Sequence, residues 1–187
     1  MKKYLTFSRR SFISTASVLA VGGSILSFRR PDELLSVSKT GKRHLWDELN
    51  PEEIKLIEQS QRAQNIVKIE GMSCAQKVLL STIRSFDKPD ELVNFAASFG
   101  GGIKREDLCG MLTGGFMSIG LASDILFEDK EKRTLFVNEA TAEYWNWWEE
   151  LAPIHCSKLK PRYSPDREKY NLMLQRVALK MDELFSV

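Results

Sequence analysis

Residues 99–115 read FGGGIKREDLCGMLTGG, and this stretch divides the chain at its most informative point. The glycines at 100–102 end one apolar, helix-periodic run, and a second run begins at residue 106 or 107 and continues to Leu121. Cys109 therefore lies in a predicted first helical turn. Free backbone N–H groups and the helix dipole favour thiolate over thiol there, so we expect a reactive or metal-binding cysteine.

The second run is rich in glycine for a helix, with Gly110, Gly114, Gly115 and Gly120 all inside it. Each glycine destabilises an isolated helix by about 1 kcal/mol relative to alanine. We expect these positions to permit the close approach of another backbone or of a ligand. Gly110 and Gly114 are accordingly candidate cofactor-binding residues.

Outside this stretch the chain also has helical periodicity. Asn50 followed by Pro51 gives one helix a capping side chain and a proline at its first position. No segment alternates apolar and polar residues for long enough to form a convincing strand. The sequence predicts an all-α, single-domain bundle of about five to six helices. These cover residues 50–67, 73–86, 89–99, 106–121, 134–151 and 164–185.

Two of these helices bear on the candidate site. Cys74 opens the apolar run of the second helix, which begins at Ser73, so this thiol is also predicted in a first turn. The third helix ends at the glycine run. Its predicted inward-facing residues are Leu92, Val93, Phe95 and Ala96.

The N-terminus has the features of an export signal. A basic start precedes an uncharged stretch from Phe12 to Phe28, and residues 8–13 read SRRSFI, which fits the twin-arginine pattern. We predict a twin-arginine signal peptide over residues 1–38 and an exported, periplasmic protein. An ordinary secretory signal and an uncleaved membrane anchor facing the periplasm are the alternatives, so membrane contact is expected only through this segment.

The remaining chain is predicted as a lead-in linker over 39–49 and a helical domain over 50–187. Removing the six basic and two acidic residues of 1–38 leaves 21 basic and 23 acidic residues, a net charge of −2. Basic residues of the domain are mixed with acidic ones, which is typical of a solvated face. We expect no nucleic-acid partner.

Cys74, Cys109 and Cys156 are the three cysteines of the chain. A lone cysteine is most often a small buried hydrophobe, but an oxidising compartment selects against idle thiols. Two joint roles remain open: a reversible Cys74–Cys109 disulfide with Cys156 as third member, or a metal or iron–sulfur site held by all three. His155 is a weaker candidate as a ligand or proton donor.

The cysteine pattern resembles the C-GCAxxG-C-C family of redox-active proteins. SCAQ (73–76), FGGGIKREDLCGMLTGG (99–115) and HC (155–156) follow that family's order of cysteines and glycines. Met111 replaces the motif's alanine, and the fourth family cysteine has no counterpart in SKLKPRYSPD (157–166). The resemblance implies a redox or metal role without supplying a reaction.

We therefore expect an exported cysteine protein that takes part in thiol–disulfide or electron transfer. Its partner would be a redox protein or a transporter-associated complex. The alternative is a metal- or iron–sulfur-binding module without turnover, accessory to such a complex.

Replacing Arg9 and Arg10 together by lysine tests the export prediction. Because the twin-arginine pathway requires the arginine pair, uncleaved precursor should accumulate in the cytoplasm. Cell fractionation and immunoblotting measure this, with Lys2 and Lys3 replaced by arginine as the matched control. Unchanged export of the Arg9/Arg10 variant would assign the protein to the general secretory pathway.

Overall fold

A computed structural model describes residues 43–186, so the predicted signal peptide and residues 39–42 of the lead-in lie outside the described residues. The described part contains no β-strand, only one isolated antiparallel bridge, which confirms the all-α prediction. None of its helices has both the length and the apolar character that a membrane crossing requires. The α-helices are α1 (Pro51–Gln59), α2 (Gln61–Ile66), α3 (Cys74–Ser85), α4 (Gly110–Leu126), α5 (Lys130–Leu151), α6 (Cys156–Tyr163) and α7 (Arg167–Phe185).

The predicted first helix is two helices, because the chain breaks at Ser60. Its backbone is extended, and its side chain accepts a hydrogen bond from the N–H of Ala63, which caps α2. The Ser60 hydroxyl also donates to Asp182 of α7, which fixes the break against the C-terminal helix. Serine is a favoured N-cap residue, so the break has a local cause that helical periodicity does not reveal.

The predicted third helix is a 3-10 helix over Asp90–Phe99 rather than an α-helix. Three residues per turn place residues 93, 96 and 99 on one face. Val93 and Ala96 are buried accordingly, whereas Phe95, which we expected to face inward, is 70% exposed. That expectation was wrong because it assumed 3.6 residues per turn.

The segment between this helix and α4 is not the helical start that the sequence predicts from residue 106 or 107. A π-helical turn covers Gly102–Glu106, and Ile103, Lys104 and Glu106 have positive φ angles. α4 then begins at Gly110 and ends at Leu126, later than predicted at both ends. Helix α6 has no counterpart among the predicted helices. It follows the aromatic helix α5 after a connection of four residues.

The contact between α3 and α4 depends on small residues. A Cβ added at Gly114 would lie 2.7 Å from the carbonyl oxygen of Ala75 and 3.0 Å from Cβ of Val78. The next residue, Gly115, accommodates the ring of Tyr144 from α5, whose hydroxyl donates to the carbonyl of Met111 at 3.1 Å. The glycines therefore bring three helices to distances that larger residues would not permit.

The segment that we predicted as a lead-in linker is part of the packed domain from residue 43 onward. Leu45 is fully buried, and the guanidinium of Arg176 on α7 donates to its carbonyl and to those of Asp47 and Glu48. The same guanidinium binds both carboxylate oxygens of Glu53 on α1, at 2.9 and 3.1 Å. One buried arginine thus joins the N-terminal segment, α1 and α7.

Burial by itself would raise the pKa of Glu53, but hydrogen bonds from Arg176 and from the N–H of Asn50, with the charges of Arg176 and Arg43, outweigh it and lower the pKa. The lowered pKa means that the carboxylate contributes stability above its unfolded pKa of about 4.3. This contribution is lost as the pH falls through the folded pKa.

Replacing Gly114 by alanine should lower the free energy of unfolding by about 1–3 kcal/mol, because the new methyl group overlaps the backbone of α3. Urea denaturation of residues 43–187 measures the change. Gly120→Ala is the matched control in the same helix, since no atom lies within 4 Å of its added Cβ. It should raise the free energy of unfolding by about 0.5–1 kcal/mol. Equal effects of the two substitutions would contradict the packing role of Gly114.

Candidate functional site

Each of the three cysteines lies at the N-terminus of a helix. Cys74 is the first residue of α3, where Ser73 and Gln76 form a reciprocal capping box. Cys109 is itself the N-cap residue of α4. Cys156 is the first residue of α6. The first-turn prediction for Cys74 and Cys109 is close to what the structure shows, and Cys156 shares the same kind of position.

A short antiparallel bridge joins the segments that carry Cys109 and Cys156. The N–H of Cys109 donates to the carbonyl of Ile154 at 2.8 Å, and the N–H of Cys156 donates to that of Asp107 at 2.6 Å. This pattern places the two cysteines on the same face as diagonal neighbours, for which a separation of about 7–8 Å is typical. Two backbone hydrogen bonds therefore hold the starts of α4 and α6 together.

Cys74 approaches the same point through the contact between α3 and α4. Its sulfur lies directly against Gly110, so that a Cβ added there would overlap the sulfur. Gly110 is the neighbour of Cys109 in the chain, and a charge on Cys74 acts on the Cys109 thiol. The predicted proximity of Cys74 and Cys109, 35 positions apart in sequence, is thus present, and Cys156 joins them as expected.

A cavity of about 230 Å³ opens onto this cluster. Cys74 and Cys156 line it and are 8% and 2% exposed, respectively. Cys109 is fully buried and is not part of the lining. The other lining residues are Met72, Ser73, Gly101, Glu106, Lys160, Tyr163, Ser164 and Tyr170. The three thiols therefore differ in access. Cys74 and Cys156 border the cavity, whereas Cys109 is buried behind them.

The environment does not favour thiolate at every cysteine, which corrects the expectation from the helix N-termini. Burial raises the pKa of Cys109 well above its ordinary value, and a charge on Cys74 raises it further. The N–H groups of Met111 and Leu112 lower the pKa of Cys109, as predicted, but their effect is smaller. Desolvation wins because the sulfur is removed from water on all sides.

The groups around Cys156 have opposing effects on its pKa. Burial raises its pKa, a hydrogen bond with Tyr163 lowers it, and charges on Cys74 and Glu106 raise it again. Tyr163 in turn has a pKa raised above its ordinary value by burial and by charges on all three cysteines. The phenol therefore stays protonated next to the thiols and keeps its hydrogen for donation.

A buried cation accompanies Cys74. Lys77 lies one turn along α3, and its ammonium donates to the carbonyl of Ile69 and sits 5.7 Å from the centre of the Tyr170 ring. Burial lowers the pKa of Lys77, and a charge on Cys74 acts in the opposite direction. The two groups are therefore near enough for their charges to interact.

The weaker predicted site residues do not line the cavity. His155 is half-exposed, and its Nδ1 lies 2.8 Å from a carboxylate oxygen of Asp107. The space beside Gly110 is filled by Cys74, and the space beside Gly114 by Ala75 and Val78. These two glycines therefore serve the contact between helices, which is the backbone alternative considered from the sequence.

The described residues do not fit the alternative of a metal or iron–sulfur site. Within 43–186, no group of three or more His, Cys, Asp or Glu side chains is arranged to hold a metal ion. The three cysteines have unequal access to the cavity, and only two of them reach it.

Sequence analysis did not identify the non-cysteine part of the cavity. Tyr163 and Lys160 lie on α6, which was not predicted, and Glu106 and Gly101 lie in the irregular segment before α4. A signal for Tyr163 exists in hindsight, because it follows Cys156 by seven residues and so shares its helix face. No local pattern indicates Tyr170, which tertiary packing brings to the cavity from α7.

A family model described as "Putative redox-active protein (C_GCAxxG_C_C)" matches residues 72–183. The match spans more than half of the chain and includes all three cysteines and every residue that lines the cavity. Comparisons with curated proteins and with solved structures found no match.

The three thiols should react with iodoacetamide in the order Cys74, then Cys156, with Cys109 protected until the protein unfolds. Exposure sets this order, and the raised pKa values of Cys156 and Cys109 reinforce it. Thiolate is the reactive form, and an ordinary cysteine has a pKa of about 8.5. Because the pKa of Cys156 is raised, the rate at which it is labelled should continue to increase as the pH rises above that value. Peptide mass spectrometry of reduced protein measures each site, with labelling in urea as the control. Early labelling of Cys109 would contradict the arrangement.

Proposed function

The chain belongs to the C_GCAxxG_C_C family of redox-active proteins, and we propose that it performs thiol–disulfide exchange at its cysteine cluster. One observation carries the proposal: two free thiols, Cys74 and Cys156, open onto a single cavity while a third, Cys109, lies behind them. Structural cysteines in an exported protein would be expected as a closed, inaccessible disulfide. Two reduced thiols at the wall of one open cavity suit reversible oxidation instead.

Cys74 is the attacking thiol in this proposal. It is the most exposed of the three, it lies at the N-terminus of α3, and Lys77 supplies a nearby positive charge. The Cys74 thiolate attacks one sulfur of a substrate disulfide, forms a mixed disulfide and releases the first substrate thiolate.

Cys156 completes the exchange. Its sulfur attacks Cys74 in the mixed disulfide, the Cys74–Cys156 bond forms, and the second substrate thiol leaves. Two protein thiols are oxidised and one substrate disulfide is reduced to two thiols, so electrons and protons balance. In a second internal exchange, Cys109 would attack Cys74 and release the Cys156 thiol. The product would be the Cys74–Cys109 disulfide that the sequence predicts.

Export to the periplasm is part of the proposal, supported by the arginine pair at positions 9 and 10. An oxidising compartment supplies disulfides as substrates. A redox protein or a transporter-associated complex would then restore the reduced cysteines. The raised pKa of Cys156 lowers its thiolate fraction at neutral pH and so slows its attack on the mixed disulfide.

Thiol counting tests the function. Protein purified without oxygen should contain three thiols, and oxidation by dithiol–disulfide buffers should reversibly leave one. Cys109→Ala should retain the reversible disulfide, whereas Cys74→Ser and Cys156→Ser should lose it. Retention in Cys156→Ser with loss in Cys109→Ala would assign the Cys74–Cys109 pair instead.

The proposal fails if wild-type protein keeps three thiols under all conditions, or if stoichiometric iron and sulfide accompany them. Circular dichroism of each variant controls for folding, because Cys109→Ala removes a fully buried side chain. That substitution changes little volume, so the variant should remain folded.

A further inference from the structure

We infer, on the basis of the proposed exchange, that the cysteine cavity takes a small disulfide bearing the ammonium and carboxylate groups of an amino acid, and not the disulfide of a folded protein. Access to the cavity and the charges at its mouth both favour such a molecule.

The first argument is the recessed position of the sulfurs. Cys74 and Cys156 are 8% and 2% exposed and lie at the wall of a cavity of about 230 Å³. Pockets for drug-sized molecules are larger, roughly 300–1,000 Å³. A molecule of amino-acid size can enter such a cavity. A protein disulfide would have to bring two flanking backbones with it.

The second argument is that the wall of the cavity is fixed in place. Gly102 lies so close to Cys156 that an added Cβ would be 2.7 Å from the cysteine Cβ. The segment that follows is held to the start of α6 by two backbone hydrogen bonds, from Cys156 to Asp107 and from Cys109 to Ile154. Opening the wall for a larger substrate would break these bonds and separate the cysteines.

The third argument is the charge at the mouth. Lys160 and Glu106 line the cavity, one of each sign, with Nζ and Oε1 2.7 Å apart. Their side chains are 52% and 54% exposed, and ion pairs with this exposure are weak enough to exchange partners. A bound amino-acid group would place its carboxylate on Lys160 and its ammonium on Glu106. The hydroxyl group of Ser164 provides a further hydrogen-bonding partner at the cavity wall.

The reaction follows the proposed exchange with a defined substrate. The Cys74 thiolate attacks one sulfur of the small disulfide, and one amino-acid thiolate leaves and takes up a proton. Cys156 then displaces the second amino-acid thiol from Cys74 and gives up its own proton. The small disulfide becomes two thiols and the protein gains one disulfide.

The experiment compares four disulfides with reduced full-length protein: cystine, cystamine, 3,3′-dithiodipropionate and the disulfides of insulin. Cystamine carries only ammonium groups and dithiodipropionate only carboxylates. A background that combines Cys109→Ala with Cys156→Ser stops the reaction at the mixed disulfide on Cys74, so intact-mass spectrometry measures the first attack alone. This background also removes any effect of Lys160 or Glu106 on the Cys156 thiol.

Charge variants give opposite selectivities. Lys160→Gln should slow the attack on cystine and dithiodipropionate by about two- to five-fold and leave cystamine unchanged. Glu106→Gln should slow cystine and cystamine by a similar factor and leave dithiodipropionate unchanged. Lys158→Gln, on the same helix but outside the cavity lining, is the matched control and should change none of them.

The expected result is fast reaction with cystine, this pattern in the two variants, and much slower reaction with insulin. Insulin reacting as fast as cystine, or variants that slow all three small probes equally, would overturn the inference and leave the thiol exchange intact. No mixed disulfide with any probe, together with three unreactive thiols in the thiol count, would overturn the proposed function itself.

Discussion

The close contact of α3 with α4 is the constraint on which the cysteine cluster depends. Gly110 and Gly114 let α3 approach until the sulfur of Cys74 touches the backbone at the start of α4. Cys109 is next to that point, and the bridge between the segments before α4 and α6 adds Cys156. Side chains at either glycine would separate the helices, and the three thiols would no longer share one location.

The cluster illustrates a competition between two electrostatic effects. A helix N-terminus favours a charged sulfur through its free N–H groups, whereas burial penalises the charge. At Cys109 burial wins, and its pKa rises despite two N–H donors. Cys74 has the same kind of helical position, but it borders the cavity and has Lys77 nearby. Differences in access therefore turn three similar cysteines into candidates for three different roles.

A second fixed point lies away from the cysteines. Arg176 and Glu53 form a buried, two-pronged ion pair, and Arg176 also binds three carbonyl groups of the N-terminal segment. Burying two charges is costly, and the additional hydrogen bonds offset this cost. The pair orders residues from 43 onward, where the sequence predicts a linker. It therefore closes the bundle at the end where the chain enters the domain.

Sequence by itself determined the helical class, the helix start at Cys74 and, to within a few residues, the helix start near Cys109, because periodicity and glycine breaks are local signals. It did not reveal the 3-10 helix or the break at Ser60, since hydrogen-bond spacing and a serine cap override periodicity there, and it did not reveal α6, a short helix that contains Pro161. Tertiary structure alone decided which thiols reach the cavity. Access and desolvation depend on residues distant in the chain, such as Tyr170, and no local pattern encodes those contacts.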